Sequence, residues 1–410
     1  MHTTDDATGL ISTQLAPIEL VVLQGTSFCN LDCQYCDLSP ESRRVRTTMD
    51  LPLIERLFTE LFQSGRLAPT VTVVWHSGEP LTLSPAYYDD AITLIDTLKH
   101  RYGTDDVSVR YAIQTNAVLI DEKWCSFFER HAHELELGVS CDGPADLHDA
   151  FRVGWSGRPS HERTLRGMDR LEEHGIKYKV IAVVTRRTLE RPEAFYEFFR
   201  ARRAHLSGFH FNLIAESTGV DPDLTYSAED REAYFAFYRR LLELQRADEK
   251  RGDRLEILNF TLAAEGLLAA GEARRGFFDE AVAPLKSLTV DASGNLTTFY
   301  AGLSIDTLPD VYGDGRGLAL GNILETPLED MLRSQKLERM VSDFLASRRA
   351  CESSCEYFGV CPGGYELLKK KSLGSFEATE TVECLIHVKT LVDALVDDID
   401  ERAQGTSLPA

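Results

Sequence analysis

Seven of the chain's nine cysteines fall into two sets. The first is Cys29-Asn-Leu-Asp-Cys33-Gln-Tyr35-Cys36, three thiols on one short loop. Three thiolates suit a soft metal, and a four-iron, four-sulfur cubane held by three of them keeps one iron open to another ligand. Zinc usually takes four ligands, often from C-x2-C pairs, and no nearby His or Cys completes such a set here. The second set is Cys351-x3-Cys355-x5-Cys361-Pro-Gly-Gly, with Cys384 beyond it. Four thiolates would close a cubane completely and suit it to electron transfer; a four-cysteine zinc knot is the alternative. Cys125 and Cys141 lie in apolar patterns far from both sets and read as small buried apolar residues.

The bulk of the chain narrows what such sites could serve. Single cores stop growing near ~250 to 300 residues, so a chain of 410 is expected to form two domains or one with an appendage. A formal charge of -21 argues against nucleic acid, whose phosphates are held by clustered Lys and Arg. No apolar run approaches the ~18 residues of a membrane span. The opening MHTTDDATGL lacks the basic and apolar regions of a signal peptide. The expectation is a cytoplasmic protein with no membrane or nucleic-acid partner, acting on small molecules or peptides. In that reducing compartment the cysteines are free thiols or metal ligands, not disulfides.

The elements that must position these residues are readable as an α/β pattern. Candidate strands are Ile18 to Gln24, Val71 to Trp75, Val107 to Gln114, Leu135 to Cys141, Lys177 to Thr185 and Gly208 to Ile214. Several are near-continuous apolar runs, as parallel strands covered on both faces require. Between the first two, Ile54, Leu57, Phe58, Leu61 and Phe62 mark one helical stripe, with Asp50 placed to cap its start. Six strand-helix units suggest a parallel barrel or open barrel, whose active site lies at the C-terminal ends of the strands. From about Pro222 to Pro284 the pattern is helical, with stripes through Tyr234, Phe237, Leu241, Leu242 and Leu244 and through Leu262 to Ala270. A β-like segment, Leu288 to Thr297 with a turn at Ser293-Gly294-Asn295, opens the cysteine-rich part. A last helix is expected over Val382 to Arg402, followed by a frayed tail.

C-x3-C-x2-C with an aromatic residue, Tyr35, before the last cysteine resembles the signature of radical S-adenosylmethionine enzymes, and the resemblance runs from about residue 18 to 215. It implies a partial (β/α)6 barrel over 18–220, preceded by a segment 1–17. It further implies a 4Fe-4S cluster on Cys29, Cys33 and Cys36, whose open iron is chelated by the amino and carboxylate groups of S-adenosylmethionine. One electron then yields methionine and a 5'-deoxyadenosyl radical. His76-Ser77-Gly78-Glu79-Pro80 resembles the family's G-G-E-P motif, with Ser77 in place of the first glycine. By that likeness the Gly78 backbone and the Glu79 carboxylate receive the methionine ammonium. Ser140-Cys141-Asp142-Gly143-Pro144 and His148-Asp149-Ala-Phe-Arg152 resemble motifs of the peptide-modifying branch. Asn116 and Ser140 would then contact ribose or methionine groups, and Tyr35 joins the cofactor-binding residues. Arg152 would face the carboxylate or else form a surface ion pair.

The second cysteine set, with Thr289-Val290-Asp291-x2-Gly294 and Leu320-Gly321-Asn322-Ile323 ahead of it, resembles the SPASM and twitch extensions. This implies an auxiliary domain over 286–410, joined by a helical bridge over 221–285, and a second 4Fe-4S cluster on Cys351, Cys355, Cys361 and Cys384. Full SPASM domains carry further cysteines where this chain has Thr297-Thr298-Phe299-Tyr300 and Tyr365, so the inner auxiliary cluster is expected to be missing. The runs around Cys29 and Glu79 look like those of cyclophane-forming maturases, which join an aromatic ring carbon to a β-carbon in a ribosomally synthesised precursor peptide. Such an enzyme needs a base, for which Asp37 is the candidate, and an electron donor such as flavodoxin or ferredoxin. With 28 residues ahead of Cys29, too few for a fused winged-helix recognition domain, the leader is expected to bind the chain itself or a separate protein. Sulfatase-maturing and thioether-forming enzymes share the scaffold. A non-enzymatic electron carrier would explain the cysteines but not Glu79, Asn116 and Ser140.

Overall fold

The structure is a computed structural model that describes residues 15–214, 221–268, 283–298, 310–364 and 366–405. Six strands alternate with helices through the first half: β1 (Ile18–Leu23), β2 (Leu67–Trp75), β3 (Ser108–Thr115), β4 (Leu135–Ser140), β5 (Tyr178–Val184) and β6 (Leu206–Leu213). The crossovers are α1 (Leu51–Gln63), α2 (Pro85–Arg101), α3 (Glu122–Arg130), α4 (Ala145–Phe151) with α5 (His161–Glu173), and α6 (Arg186–Leu189) with α7 (Pro192–Arg200). Each strand lies beside its predecessor and parallel to it. All six expected strands are present, displaced at their ends by a few residues. The expectation of cover on both faces is corrected: in β2 to β6 the face under the helices is buried, whereas the residues of the interior face stay partly exposed.

α1 illustrates how the sequence sets an element. The Asp50 carboxylate accepts the Leu53 N–H at 3.0 Å, and the stripe Ile54, Leu57, Phe58, Leu61 and Phe62 is wholly buried. Each such side chain contributes about 1.5–3 kcal/mol on burial. On the helix-covered face of β2 and β3, Trp75 meets Tyr88 edge-on and stacks on Tyr111, with ring centres 5.1 and 5.8 Å apart. Cys125 and Cys141 are fully buried in this core, as expected. Along β5 burial alternates strictly: Tyr178, Val180, Ala182 and Val184 face the helices, and Lys179, Ile181 and Val183 face the interior. β6 follows with Phe209 and Phe211 buried and His210 and Asn212 on the other side.

The helical stretch forms α8 (Arg231–Glu249) and α9 (Leu258–Leu268). The end of the second expected stripe, residues 269–270, lies outside the described residues, as do Phe299, Tyr300, Tyr365 and most of the expected N-terminal and tail segments. β7 (Ser287–Val290) pairs in parallel with β1, so the C-terminal part begins on the edge of the main sheet. β8 (Asn295–Thr297) returns antiparallel around Gly294, whose φ of 93° suits glycine, and β9 (Gly321–Asn322) ends the sheet. Then follow α10 (Leu328–Leu332), α11 (Gln335–Ser354), α12 (Glu366–Leu373), a π-helix (Cys384–Lys389) and α13 (Thr390–Gly405). α13 packs along α8, where buried Asp398 pairs with Arg246 and Arg402 at 2.8 Å each. No helix among the described residues is long and apolar enough to cross a membrane.

Candidate cluster and cofactor site

The loop after β1 has no regular structure between Ser27 and Glu41, so its shape depends on neighbours. Cys29 N–H donates to Arg43 O (3.0 Å), Asp32 N–H to Val153 O (2.7 Å) and Gln34 N–H to Phe151 O (3.0 Å). Buried Arg43 donates to Leu38 O at 3.1 Å and pairs with Asp32 at 2.9 Å. The Trp155 indole N–H donates to Cys29 O at 2.9 Å, and Arg44 lies over the indole ring. These clamps hold the loop that carries Cys29, Cys33 and Cys36, which lie near enough to feel one another's charge.

Burial raises all three thiols, Cys33 to about 12. Repulsion adds to burial: Cys33 and Cys36 both raise Cys29, while Arg152 and Arg43 oppose the rise at Cys33 and Cys36. The thiols therefore keep their protons at neutral pH until a metal displaces them. Three mutually repelling thiolates with two buried guanidinium groups beside them form a donor set that fits an anionic iron-sulfur cluster. Among the described residues no three His, Cys, Asp or Glu side chains are set to grip a single metal ion. A cubane needs a wider set, because each thiolate binds a different iron.

The turn after β2 holds Ser77 and Gly78 in the left-handed region, at φ 69° and 70°. A side chain at Gly78 would lie 2.2 Å from Thr26 O, so the turn requires glycine there. Ser77, which replaces the resembled motif's first glycine, holds the same strained geometry at a cost of about 1 kcal/mol or more. Glu79 is 1% exposed and ties this turn to the end of β3. Its Oε1 accepts from Thr115 Oγ1 (2.6 Å) and Leu81 N–H (2.9 Å), and its Oε2 from Asn116 N–H (2.8 Å). Burial raises the carboxyl and these donors oppose the rise. Asn116 in turn donates through Nδ2 to Asn30 Oδ1 at 2.7 Å, linking β3 to the cluster loop.

Asp142, just past β4, is the centre of a second network. Its Oδ1 accepts from Val183 N–H (2.8 Å) and Arg152 Nη2 (3.0 Å), and its Oδ2 from Arg152 Nε (2.9 Å) and from the Tyr35 hydroxyl. Arg152 also lies over the Tyr35 ring at 5.3 Å. The expected ion pair of Arg152 thus exists, but buried rather than at the surface. Ser140 accepts from Gln114 Nε2 at 3.0 Å, and Gln114 lies so close over Gly138 that any side chain there would meet it at 2.0 Å.

Further residues line the interior that sequence reasoning did not single out. His76 after β2, His210 on β6 and His387 on the π-helix are each lowered by burial to about 4, so all three are neutral at physiological pH. Asp37 is exposed to solvent, and the surrounding protein still raises its carboxyl by burial, a rise that Lys371 of α12 opposes. Asp142 stood within a quoted motif, but neither it nor Arg43, Trp155 and Gln114 was marked as a site residue, because their roles depend on pairing across elements.

The second set also comes together. Cys361 is raised by burial to about 11 and feels Cys351 and Cys355, and Cys384 is raised to about 12 and feels Cys361 and Cys355. Lys369 of α12 donates to Cys351 Sγ at 3.1 Å.

A parallel α/β sheet with a three-cysteine loop at its strand ends defines the class, and comparison with known proteins agrees. The radical SAM superfamily matches residues 23–199. Protein sll1766 of Synechocystis sp. is 30% identical over 392 residues, 95% of this chain and 94% of that protein. A serine-type anaerobic sulfatase-maturating enzyme of Bacteroides thetaiotaomicron is 31% identical over 197 residues, 47% of this chain and 46% of that enzyme. The solved structure of anSMEcpe with bound AdoMet and Cp18Cys peptide superposes with a TM-score of 0.72 at 17% identity, covering 95% of this chain and 98% of the other. Streptococcus suis SuiB bound to precursor peptide SuiA superposes with a TM-score of 0.62 at 18% identity, covering 92% and 79%. The chain belongs to the radical SAM superfamily. Membership implies S-adenosylmethionine and a 4Fe-4S cluster, which the donor set at Cys29, Cys33 and Cys36 fits.

Proposed function

We propose that this chain is a radical S-adenosylmethionine maturase that joins an aromatic ring carbon to the β-carbon of a nearby residue in a ribosomally made precursor peptide. The observation that carries the reading is the presence of two separate cysteine sites, one beside Glu79, Asn116 and Arg152 and one in the C-terminal part, on α11, the turns after it and the π-helix. Forming such a crosslink removes two hydrogens from the peptide: one as an atom, the other as a proton and an electron. When bound, S-adenosylmethionine supplies the 5'-deoxyadenosyl radical that takes the hydrogen atom.

In this reading Cys29, Cys33 and Cys36 hold the first cluster. Gly78 and Glu79 position the methionine ammonium, Asn116, Ser140 and Tyr35 line the cofactor, and Arg152 faces the carboxylate. Asp37, its carboxyl raised by burial, takes the proton. Cys351, Cys355, Cys361 and Cys384 hold a second cluster suited to the electron, which a flavodoxin or ferredoxin exchanges with the chain. Residues 18–220 are read as a partial (β/α)6 barrel, 221–285 as a bridge and 286–410 as a SPASM- or twitch-like domain. The folds of SuiB and anSMEcpe, each solved with a peptide, support a peptide partner.

The likeness to a serine-type sulfatase-maturating enzyme favours a second reading, oxidation of one side chain to formylglycine. Coexpression with the precursor encoded nearby and tandem mass spectrometry separate the two. A crosslink gives a peptide short of two hydrogens that does not fragment between the joined residues. A hydrazine-reactive aldehyde, or loss of modification activity without loss of 5'-deoxyadenosine formation in Asp37→Asn alone, bears on the rest: the aldehyde overturns the crosslink, and the Asp37 result supports the base.

A further inference from the structure

α11 and α12 bury a positive charge against the second cysteine set. Ser347 and Cys351 lie one turn apart on α11, fully buried and 5% exposed. Lys369 on α12 is 2% exposed, and its ammonium donates to Ser347 Oγ at 2.8 Å and to Cys351 Sγ at 3.1 Å. Among the described residues it forms no ion pair with a carboxylate. The buried acid of its own helix, Glu366, has neither carboxylate oxygen hydrogen-bonded among the described residues, and burial raises it to about 8 although Lys369 and Arg348 both pull it down. A buried ammonium without a counter-charge is strongly unfavourable. The acidic groups it meets are the Glu366 carboxyl, which burial holds toward its neutral form, and the cysteine sulfurs, of which it touches Cys351 and favours the thiolate of Cys361.

We propose that Lys369 is a positioning residue for the second cluster, a fixed ammonium that offsets the cluster's negative charge and raises its reduction potential. This rests on the reading that Cys351, Cys355, Cys361 and Cys384 hold a cluster. Adding one electron adds one negative charge beside Cys351, and a hydrogen-bonded cation favours that form. Ser347 fixes the ammonium, so the cation cannot turn away when the charge changes.

The test uses the full chain carrying Cys29→Ala, Cys33→Ala and Cys36→Ala, so that only the second cluster contributes, reconstituted without oxygen. Iron analysis should give about four irons per chain, and potentiometric titration followed by electron paramagnetic resonance gives the midpoint. Adding Lys369→Met should leave the iron in place and disfavour reduction about tenfold, a midpoint more negative by about 59 mV for a one-electron couple. Lys369→Arg should restore most of the shift. An unchanged midpoint in Lys369→Met with iron retained overturns the proposal while leaving the cluster reading intact. A parent without iron overturns both. Should Lys369→Met not assemble, Ser347→Ala decides: a smaller negative shift supports the proposal, and no shift overturns it.

Discussion

Replacing Asp142 by Asn tests whether the network behind the cluster loop holds the site together. The carboxylate accepts four hydrogen bonds, from Val183 N–H, from two nitrogens of Arg152 and from Tyr35. Asn keeps the shape and one acceptor oxygen, but turns an amide N–H2 toward donors. If the retained oxygen faces Val183, the amide faces Arg152 Nε and the Tyr35 hydroxyl; the opposite flip strands the Val183 N–H instead. Either way Arg152, 7% exposed, loses its buried counter-charge. Breaking a buried pair from one side costs about 3–5 kcal/mol. The Tyr35 ring faces the guanidinium in parent and variant alike and offsets none of this, so the expected loss is about 3–5 kcal/mol. Anaerobic urea unfolding should show the midpoint moving down with the slope unchanged. Removing both charges in Asp142→Asn, Arg152→Met should recover much of the loss, because a missing pair leaves no orphaned charge. A single variant within about 0.5 kcal/mol of the parent, or a double variant worse than the sum of the singles, would refute the reasoning.

Glu79→Gln should lower both stability and affinity for S-adenosylmethionine while iron content stays unchanged. Its amide must face either Asn116 N–H or the Leu81 and Thr115 donors, leaving at least one buried donor unmet at about 1–3 kcal/mol. Isothermal titration with the cofactor and a thermal melt measure the two effects, and loss of affinity with an unchanged melt would show that the carboxylate is not the structural tie described. Glu366→Gln should flatten the dependence of stability on pH. With the folded carboxyl raised by burial to about 8, the folded chain keeps a proton that the unfolded chain has lost, so stability falls as pH rises from the ordinary carboxylate range through about 8. The variant should therefore gain a few kcal/mol at most over the parent at pH 8 and little near pH 5; an equal difference at both values sinks the assignment.

Residues with one local job were legible in the sequence, and residues whose job depends on a distant partner were not. Asp50 caps the helix that follows it, and the stripe from Ile54 to Phe62 fixes which face that helix buries; both are settled within one element. The strands read well because β-branched and aromatic residues are concentrated in them, although only the helix-covered face is fully buried. The pairing of β7 with β1 was not legible, since strand neighbours are chosen by a sheet edge that the sequence does not show. The π-helix through Cys384 and His387 looked like plain helix, because an extra residue per turn leaves no residue-type signal.

Arg152 shows the same limit within the site. From residue types alone an Arg ten positions after an Asp is as readily a surface pair as a buried one, and burial follows from the register that sets Val183 beside Asn212 and its own N–H on Asp142. The pairing does not remove Arg152 from cofactor recognition. Asp142 engages only Nε and Nη2 of a fork that carries five N–H donors. The remaining donors are held in a fixed plane by a partner that is itself anchored to β5, and a guanidinium fixed in this way loses less freedom on meeting a carboxylate than a mobile one does. The buried pair is therefore compatible with a role toward the cofactor: Asp142 would set the direction in which Arg152 presents its free edge, and substituting Asp142 should weaken carboxylate recognition even though Asp142 cannot itself touch an anion.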